Sequence, residues 1–583
     1  MSFLPYMIGT VCGIPLVYLG ITKWIRPKPL PGIPHFPITS FWGDIPRVAN
    51  DMRTHGTIFD GKGFMVEAFQ SGAPMWQMFV GPTAKWVAVA DAQELEDAMT
   101  RPPRSRALDQ RWLFHIPVRP SNLTRLSISD ITLASMSGTI PYGMVSLKTN
   151  DMWRKHRRIT NPLMTSKYLR SMTPAIADNA RSLVKLWENK IRKVESKGGT
   201  CFSCEDDFHF IAMDAITSIT LGESVGAVAH ACSLIDASDP SVDDFGGIQF
   251  QLASLPLYAA VKYLIQCIGD TVSLPPAITY IVQQLRRWTP TFNGHYTLVV
   301  NHIFDRVGKV REAVKEARHL GEEYHGNCLI GMIAEREGLA GQESLTEWEL
   351  RDEVLAFIFG GTDTTATSLK WGMKFLTENP RVQHILHSEL LSALEDAPQD
   401  RPLTFDDLMS TDKTGYLEAV VAEILRCGKV APAASKQAIE PIEVLGRTLP
   451  AGTNILWCEH IACDNATVSN EDKIRALDEV RSETSRKNGR GGRSLWSIPT
   501  DKFEPDRWIK VDEGTGKRTF DPRAGYSFPF GVGLRSCAGK QLATLELKVY
   551  IATLNLSFFL GEVPKELSSH RAHIELTRFP VQA

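Results

Sequence analysis

One stretch, FPFGVGLRSCAGKQLA at residues 528–543, limits this chain more than any other feature. It sets Cys537 among glycines and an arginine, just before a run with helical spacing. Gly531, Gly533 and Gly539 allow backbone conformations and close approaches that a Cβ would obstruct. Arg535 and the glycine-exposed N–H groups favour a thiolate at Cys537. A core thiol needs no such loop, and a disulfide needs a partner. The 10 cysteines are scattered over 583 residues, as free thiols of a reducing compartment would be. Cys201 and Cys204 make one CxxC without a second pair, a weak zinc or redox signal. The spacing of Cys458, His460 and Cys463 fits no common ligand pattern, so packing is the better account.

No linker or internal repeat divides the body, which reads as one large globular unit. The formal net charge of -2 argues against a general nucleic-acid binder. Residues 3–21 form an uncharged apolar run of a length suited to one membrane crossing. Lys23, Arg26 and Lys28 follow it, which places the remainder on the cytosolic side. Pro5 and Pro15 weaken the helix, so an anchor lying on the membrane surface stays open. The proline-rich segment 27–37 reads as a stiff hinge. The expected division is therefore 1–26 anchor, 27–37 hinge and 38–583 catalytic domain, with a flexible polar insertion at 470–493.

Apolar residues recur at helical spacing in segments 152–167, 174–197, 208–221 and 298–318. Strand-like stretches are short, at 86–90, 442–457 and the C-terminus. An α-rich fold with a minor β part follows. Segment 252–282 is unusually apolar and reads as the wall or mouth of an apolar pocket.

Three further patterns carry chemistry. In LAFIFGGTDTTATSLKW the adjacent Gly360 and Gly361 interrupt a helix, each at about 1 kcal/mol relative to alanine. Asp363, Thr364 and Thr365 follow, and hydroxyls there can bond back to helix carbonyls. A packed helix with a close neighbour is one reading; a helix opened against a cofactor, with an acid and an alcohol to pass protons, is the other. Glu423 and Arg426, spaced i,i+3, share a helix face within an apolar sequence. A buried pair needs further partners, and Arg507 is the candidate. Trp153 and Arg157, at i,i+4, suit an anion such as a carboxylate, although a solvated basic face also explains Arg154, Lys155 and Arg158. A lone thiolate in apolar surroundings, without His or Cys beside it, is a poor zinc site but a known way to hold haem iron.

Together these residues resemble the cytochrome P-450 family over essentially the whole chain. Phe530, Gly533, Arg535, Cys537 and Gly539 fit the haem loop F-x-x-G-x-R-x-C-x-G. Residues 360–365 fit [A/G]-G-x-[D/E]-T-T, and Glu-x-x-Arg, Phe-x-Pro-x-Arg and Trp-x-x-x-Arg appear in the family's order. The resemblance implies a mainly α fold with a small β subdomain, a helical prism enclosing haem behind an N-terminal transmembrane helix. It implies heme b with Cys537 as axial ligand, its propionates bound by Trp153, Arg157 and Arg535. Lys436 stands where the family often has a further arginine, a weaker contact because lysine cannot bind bidentately. Glu423, Arg426 and Arg507 would form a charged network behind the haem, and Asp363 and Thr364 would pass protons during dioxygen activation. Electrons would come from an NADPH-cytochrome P-450 reductase docked by Arg154, Lys155 and Arg158, at the endoplasmic reticulum membrane. The expected activity is oxidation of a hydrophobic small molecule, such as a terpenoid, polyketide or alkaloid of fungal secondary metabolism. Ala356, Phe359, Gly360, residues 433–435 and residues 121–137 are the expected pocket. A haem-thiolate isomerase or dehydratase acting without dioxygen is the alternative enzyme, and a haem sensor or carrier the alternative outside catalysis. The intact Asp363 and Thr364 speak against both.

Overall fold

The computed structural model describes residues 28–581, apart from 61–62, 82–84, 101–107, 110–135, 137, 148–150, 273, 275, 323, 325–327, 338, 340–342, 396–400, 410–412 and 439–440. The expected anchor at 1–26 and nearly all of the pocket segment 121–137 lie outside the described residues. Among the described residues no helix is long and apolar enough to cross a membrane.

The elements that position the site are, in chain order, helices α1 (Ala92–Thr100), α2 (Asp151–Thr160), α3 (Ser166–Ser196), α4 (Glu205–Leu221), α5 (Pro256–Val272), α6 (Pro276–Arg286), α7 (Pro290–Leu320), α8 (Glu347–Thr377), α9 (Gly415–Gly428), α10 (Glu459–Asn465), α11 (Glu471–Leu477), α12 (Glu483–Asn488) and α13 (Lys540–Ser557). Strands are β1 (Met75–Phe79), β2 (Lys85–Val89), β3 (Leu108–Asp109), β4 (Ala434–Ala438), β5 (Ile442–Val444), β6 (Arg447–Leu449), β7 (Asn454–Trp457), β8 (Ala572–Ile574) and β9 (Arg578–Pro580).

Helix α8 is the axis of the molecule. A capping box opens it: Thr346 accepts the Glu349 N–H while the Glu349 carboxylate takes the Thr346 N–H. It runs unbroken through the glycine pair to Thr377, three residues before Pro380. Most of its side chains are buried, because α4 covers one side and α9 and α13 lie against it as well. Gly361 is the point of closest packing, where a Cβ would stand 2.6 Å from Ile216 Cγ1 on α4. Beside Gly360, in contrast, there is open space within 4 Å. The close-neighbour reading holds at Gly361; at Gly360 the helix stays unbroken, with open space beside it.

A second, smaller core surrounds a five-stranded sheet ordered β1-β2-β7-β4-β3. Strands β1 and β2 pair antiparallel, β2 and β7 parallel, β7 and β4 antiparallel. The described part of the proline segment is fixed to this sheet and is not a free hinge. Buried Gln77 on β1 donates to the carbonyls of Leu30 and Ile33 and accepts the Leu30 N–H.

Two other expectations change. Segment 252–282 forms α5 and the start of α6, packed on α7 and α8 with Tyr258, Val261, Leu264 and Ile268 in the main core, away from the central cavity. Its apolar excess serves helix packing on one side, while Ile278 and Ile281 stay exposed. Segment 470–493 is folded, as α11 and α12, with Arg481 and Ser485 buried. Its order comes from buried polar contacts to α1, which apolar periodicity does not register.

Candidate active site

Helix α8 covers a cavity of about 450 Å³ whose opposite wall is the cysteine loop. Ala356, Phe359, Gly360, Thr364 and Thr365 face it from α8, and Phe530, Arg535, Cys537 and Gly539 from the loop. The loop is held by its own backbone: Cys537 N–H donates to the Phe530 carbonyl at 2.8 Å and Ser536 N–H to Gly533 at 3.0 Å. Gly531 and Gly533 adopt φ of 62° and 80°, the left-handed region that favours glycine. At Gly533 a Cβ would also lie 1.9 Å from the Met99 carbonyl, so this glycine seats the loop on the end of α1.

Cys537 is accessible to the cavity although protein surrounds it. Burial pushes its thiol up, opposed by the N–H of Gly539, the Arg157 guanidinium and the N–H of Lys540. Arg157 is therefore among the charges that favour the thiolate. Arg535 lies over the Trp153 ring at 4.6 Å and donates to the Leu147 carbonyl at 2.9 Å. Trp153 and Arg157, one turn apart on α2, both reach the cavity. Lys436 reaches it from β4 and is buried beside Glu459, whose carboxyl is pushed up to about 7 by burial, against the Lys436 charge.

The acid and alcohol of α8 part company. Thr364 Oγ1 donates to the Gly360 carbonyl at 2.6 Å and faces the cavity. Asp363 does not line the cavity; it accepts from Thr577 Oγ1 at 2.7 Å and lies 3.7 Å from His209 Nε2. Thr577 is itself in the cavity wall, so Asp363 meets the cavity through one hydroxyl. Glu546 on α13 is a further group that the sequence reading omits. It lines the cavity, lies within 3.3 Å of Thr365 Oγ1, and is pushed up to about 8 by burial. Its one signal in the sequence is an acid inside the apolar run LATLELKVYIA.

Glu423, Arg426 and Arg507 do come together. Both Glu423 oxygens take Arg426 at 2.8 Å, and Arg507 Nε, Trp508 Nε1 and the Glu504 N–H add bonds of 2.8, 2.9 and 2.9 Å. Burial would raise the Glu423 carboxyl, but Arg426 and Arg507 hold it below the usual range. The remaining guanidinium donors go to carbonyls of Thr500, Lys502, Ile498 and Pro499. The expected docking cations on α2 have acidic partners: Lys155 binds both oxygens of Glu349, Arg158 both oxygens of Glu343, and Arg154 pairs with Asp151, with Arg154 and Arg158 still exposed. His460 points its ring nitrogens at the carbonyls of Pro432 and Phe59, and among the described residues no cluster suits a metal ion.

A family model described as Cytochrome P450 matches residues 130–467 and 493–572. Cytochrome P450 monooxygenase TRI13 of Fusarium sporotrichioides is 26% identical, over 98% of this chain and 98% of its own. Cytochrome P450 monooxygenase xilC of Penicillium crustosum is 26% identical over 95% of this chain and 91% of its own. In fold, the chain is similar to the crystal structure of the cytochrome P450DA heme domain, with a TM-score of 0.61 at 17% identity over 95% and 96% of the two chains. A helical fold of this kind around a cavity-facing cysteine is that of a haem-thiolate enzyme. The chain belongs to the cytochrome P450 family, and it is a monooxygenase.

The residues present fit the haem that the family implies. The Cys537 thiol faces a largely apolar cavity, α8 leaves open space beside Gly360, and Arg157, Arg535 and Lys436 supply positive charge for propionates.

Proposed function

We propose that the chain oxidises a hydrophobic small molecule, with Cys537 holding haem iron and electrons arriving from an NADPH-dependent reductase. The observation that carries this reading is Cys537 opening into a largely apolar cavity directly across from Thr364 and Gly360. Bound there, the haem supplies activation of dioxygen; every other function falls to the protein. Arg157, Arg535 and Lys436 hold the propionates, and Trp153 backs Arg535. Thr364 keeps a hydroxyl at the cavity, while Asp363 and Thr577 form a proton path from behind α8. Phe359, Ala356 and Ala433 exclude water and give the substrate an apolar surface. The balance is RH + O2 + 2e− + 2H+ → ROH + H2O.

The same proposal assigns residues 1–26 to a single-pass anchor in the endoplasmic reticulum membrane, catalytic domain in the cytosol. Support comes from the uncharged run at 3–21 and the cations behind it. The fungal monooxygenases above support a place in secondary-metabolite biosynthesis. The carbon monoxide difference spectrum of the reduced protein tests the centre of the proposal. A strongly red-shifted Soret band that disappears in Cys537→Ala is expected. Its persistence in that variant would refute thiolate ligation.

A further inference from the structure

The family model passes over residues 468–492, and this segment walls a second cleft that shares no lining residue with the haem cavity. The cleft holds about 280 Å³. Most small-molecule sites run from roughly 300 to 1,000 Å³, so this one suits a compact ligand. Helix α10 divides the two spaces: Glu459, His460 and Cys463 line the haem cavity, while Ala462 and Asn465 line the cleft. Helix α11 stands on the other side with Lys473, Ile474 and Leu477, and Arg481 and Arg490 follow from the rest of the segment.

The lining is of two kinds. Phe69, Ala462, Ala466 and Leu495 are apolar, each less than a tenth exposed. Its charged residues are three cations and one acid, namely Lys473, Arg481, Arg490 and Asp91. Arg481 and Asp91 spend their charges on each other, through bonds of 3.1 and 2.7 Å. Lys473 is exposed and makes no ion pair among the described residues. Arg490 has a distant contact of 3.9 Å with Glu471, which Arg475 shares at 3.6 Å. Two cations are thus left to serve one small space with apolar walls. Tyr526, 2% exposed, also lines the cleft, and its hydroxyl has no hydrogen-bond partner among the described residues. Burial pushes that hydroxyl above its ordinary range, so it stays a donor. A buried donor without an acceptor is destabilising unless a ligand provides one.

We infer that this cleft is a second ligand site, separate from the haem cavity, for a compact carboxylate with an apolar body. The carboxylate would lie between Lys473 and Arg490, and the body against Phe69, Ala466 and Leu495. Because the segment that supplies both cations lies outside the family match, the site belongs to this chain rather than to the fold. Its occupancy is read by binding alone and is independent of the monooxygenase reading.

The test uses full-length, haem-loaded protein in detergent, with naphthoate as the probe and isothermal titration calorimetry as the readout. One molecule per chain should bind with a Kd below about 1 mM, and binding should persist when phenylimidazole occupies the haem cavity. In the double variant Lys473→Glu, Arg490→Glu the affinity should fall about tenfold or more, and the uncharged naphthamide should bind the parent about tenfold more weakly. Tyr526→Phe should weaken naphthoate about threefold. The carbon monoxide band should match the parent in each variant, which separates loss of the site from misfolding. Should the charge reversal disturb that band, the double variant Lys473→Gln, Arg490→Gln carries the same test with a smaller loss. Parent affinity in a double variant with an intact band would overturn the site. So would displacement of naphthoate by phenylimidazole, equal binding of naphthamide, or no measurable binding to the parent.

Discussion

Replacing Glu423 by alanine removes the buried carboxylate on which Arg426 and Arg507 converge, and leaves Arg426 a longer contact of 3.4 Å with Asp464. It leaves Arg426 and Arg507 side by side with their mutual counter-ion gone, and deprives Trp508 Nε1 and the Glu504 N–H of their acceptor. Glu423 is fully buried, so water cannot substitute without opening the core. Breaking a buried ion pair costs about 3–5 kcal/mol, and each neutral donor stranded in the interior about 1–3 kcal/mol. Carbonyls of Thr500, Lys502, Ile498 and Pro499 already hold the outer guanidinium nitrogens. They limit the damage, so a loss of about 5 kcal/mol is expected, comparable with the entire margin of many domains. Glu423→Gln keeps the shape and one acceptor oxygen but turns an amide N–H₂ toward an arginine, and should lose about half as much. The assay is the yield of carbon monoxide-reactive pigment together with the urea midpoint of the purified proteins. Glu423→Ala should give almost no pigment, Glu423→Gln a reduced midpoint, and Glu443→Ala, exposed on β5, the parent values. A midpoint for Glu423→Ala within about 1 kcal/mol of the parent would refute the argument that this network holds the fold together.

Thr364→Ala should uncouple NADPH consumption from product and release hydrogen peroxide; Thr577→Val, which cuts the Asp363 link at 2.7 Å, should uncouple too while leaving the carbon monoxide band in place. Gly533→Ala would set a Cβ against the Met99 carbonyl at a φ of 80°, so haem incorporation should fail even though alanine is small. Glu546 gives a pH dependence with a definite sign. Its folded pKa of about 8 lies above the ordinary 4.5, so its protonated form is favoured in the fold. Stability linked to it is complete below pH 4.5 and lost as pH rises through about 8, which at pH 7 is a cost of roughly 3 kcal/mol. Glu546→Gln should therefore unfold later than the parent at pH 8 and show a flatter profile in thermal scans between pH 6 and 9.

The cysteine loop and the Glu423 network were legible in the sequence because each is specified locally. Three glycines and a cysteine fix the first, and two charges at helical spacing in an apolar run demand the second. Other features were not local. Asp363 and Thr364 are neighbours, and successive helix residues point about 100° apart. Thr364 shares the cavity face with Gly360 one turn below, while Asp363 turns toward Thr577 and His209; the sequence alone does not say which face α4 will cover. The fate of the α2 cations was equally hidden, since Glu343 and Glu349 lie almost two hundred residues away. Glu546 was overlooked for the opposite reason. A single acid in an apolar helix carries no period, and only burial against Thr365 gives it meaning.

The polar segment 470–493 shows what that kind of oversight has in common with the rest. Low hydrophobicity argues that a segment cannot build a core of its own, and this one does not. It is ordered by a debt incurred elsewhere: Asp91, Glu94 and Asp97 recur every three residues along α1, 4%, 0% and 4% exposed. Carboxylates so deeply placed require partners, beyond the Glu94 N–H that Asp91 accepts at 2.7 Å. Arg481, Ser482, Thr484 and Asn488 supply them. The acidic face of α1 and the insertion are therefore one structural unit split by nearly four hundred residues. A row of buried acids on one helix face is the signal that a distant polar segment is folded against it, and neither segment shows this when read alone.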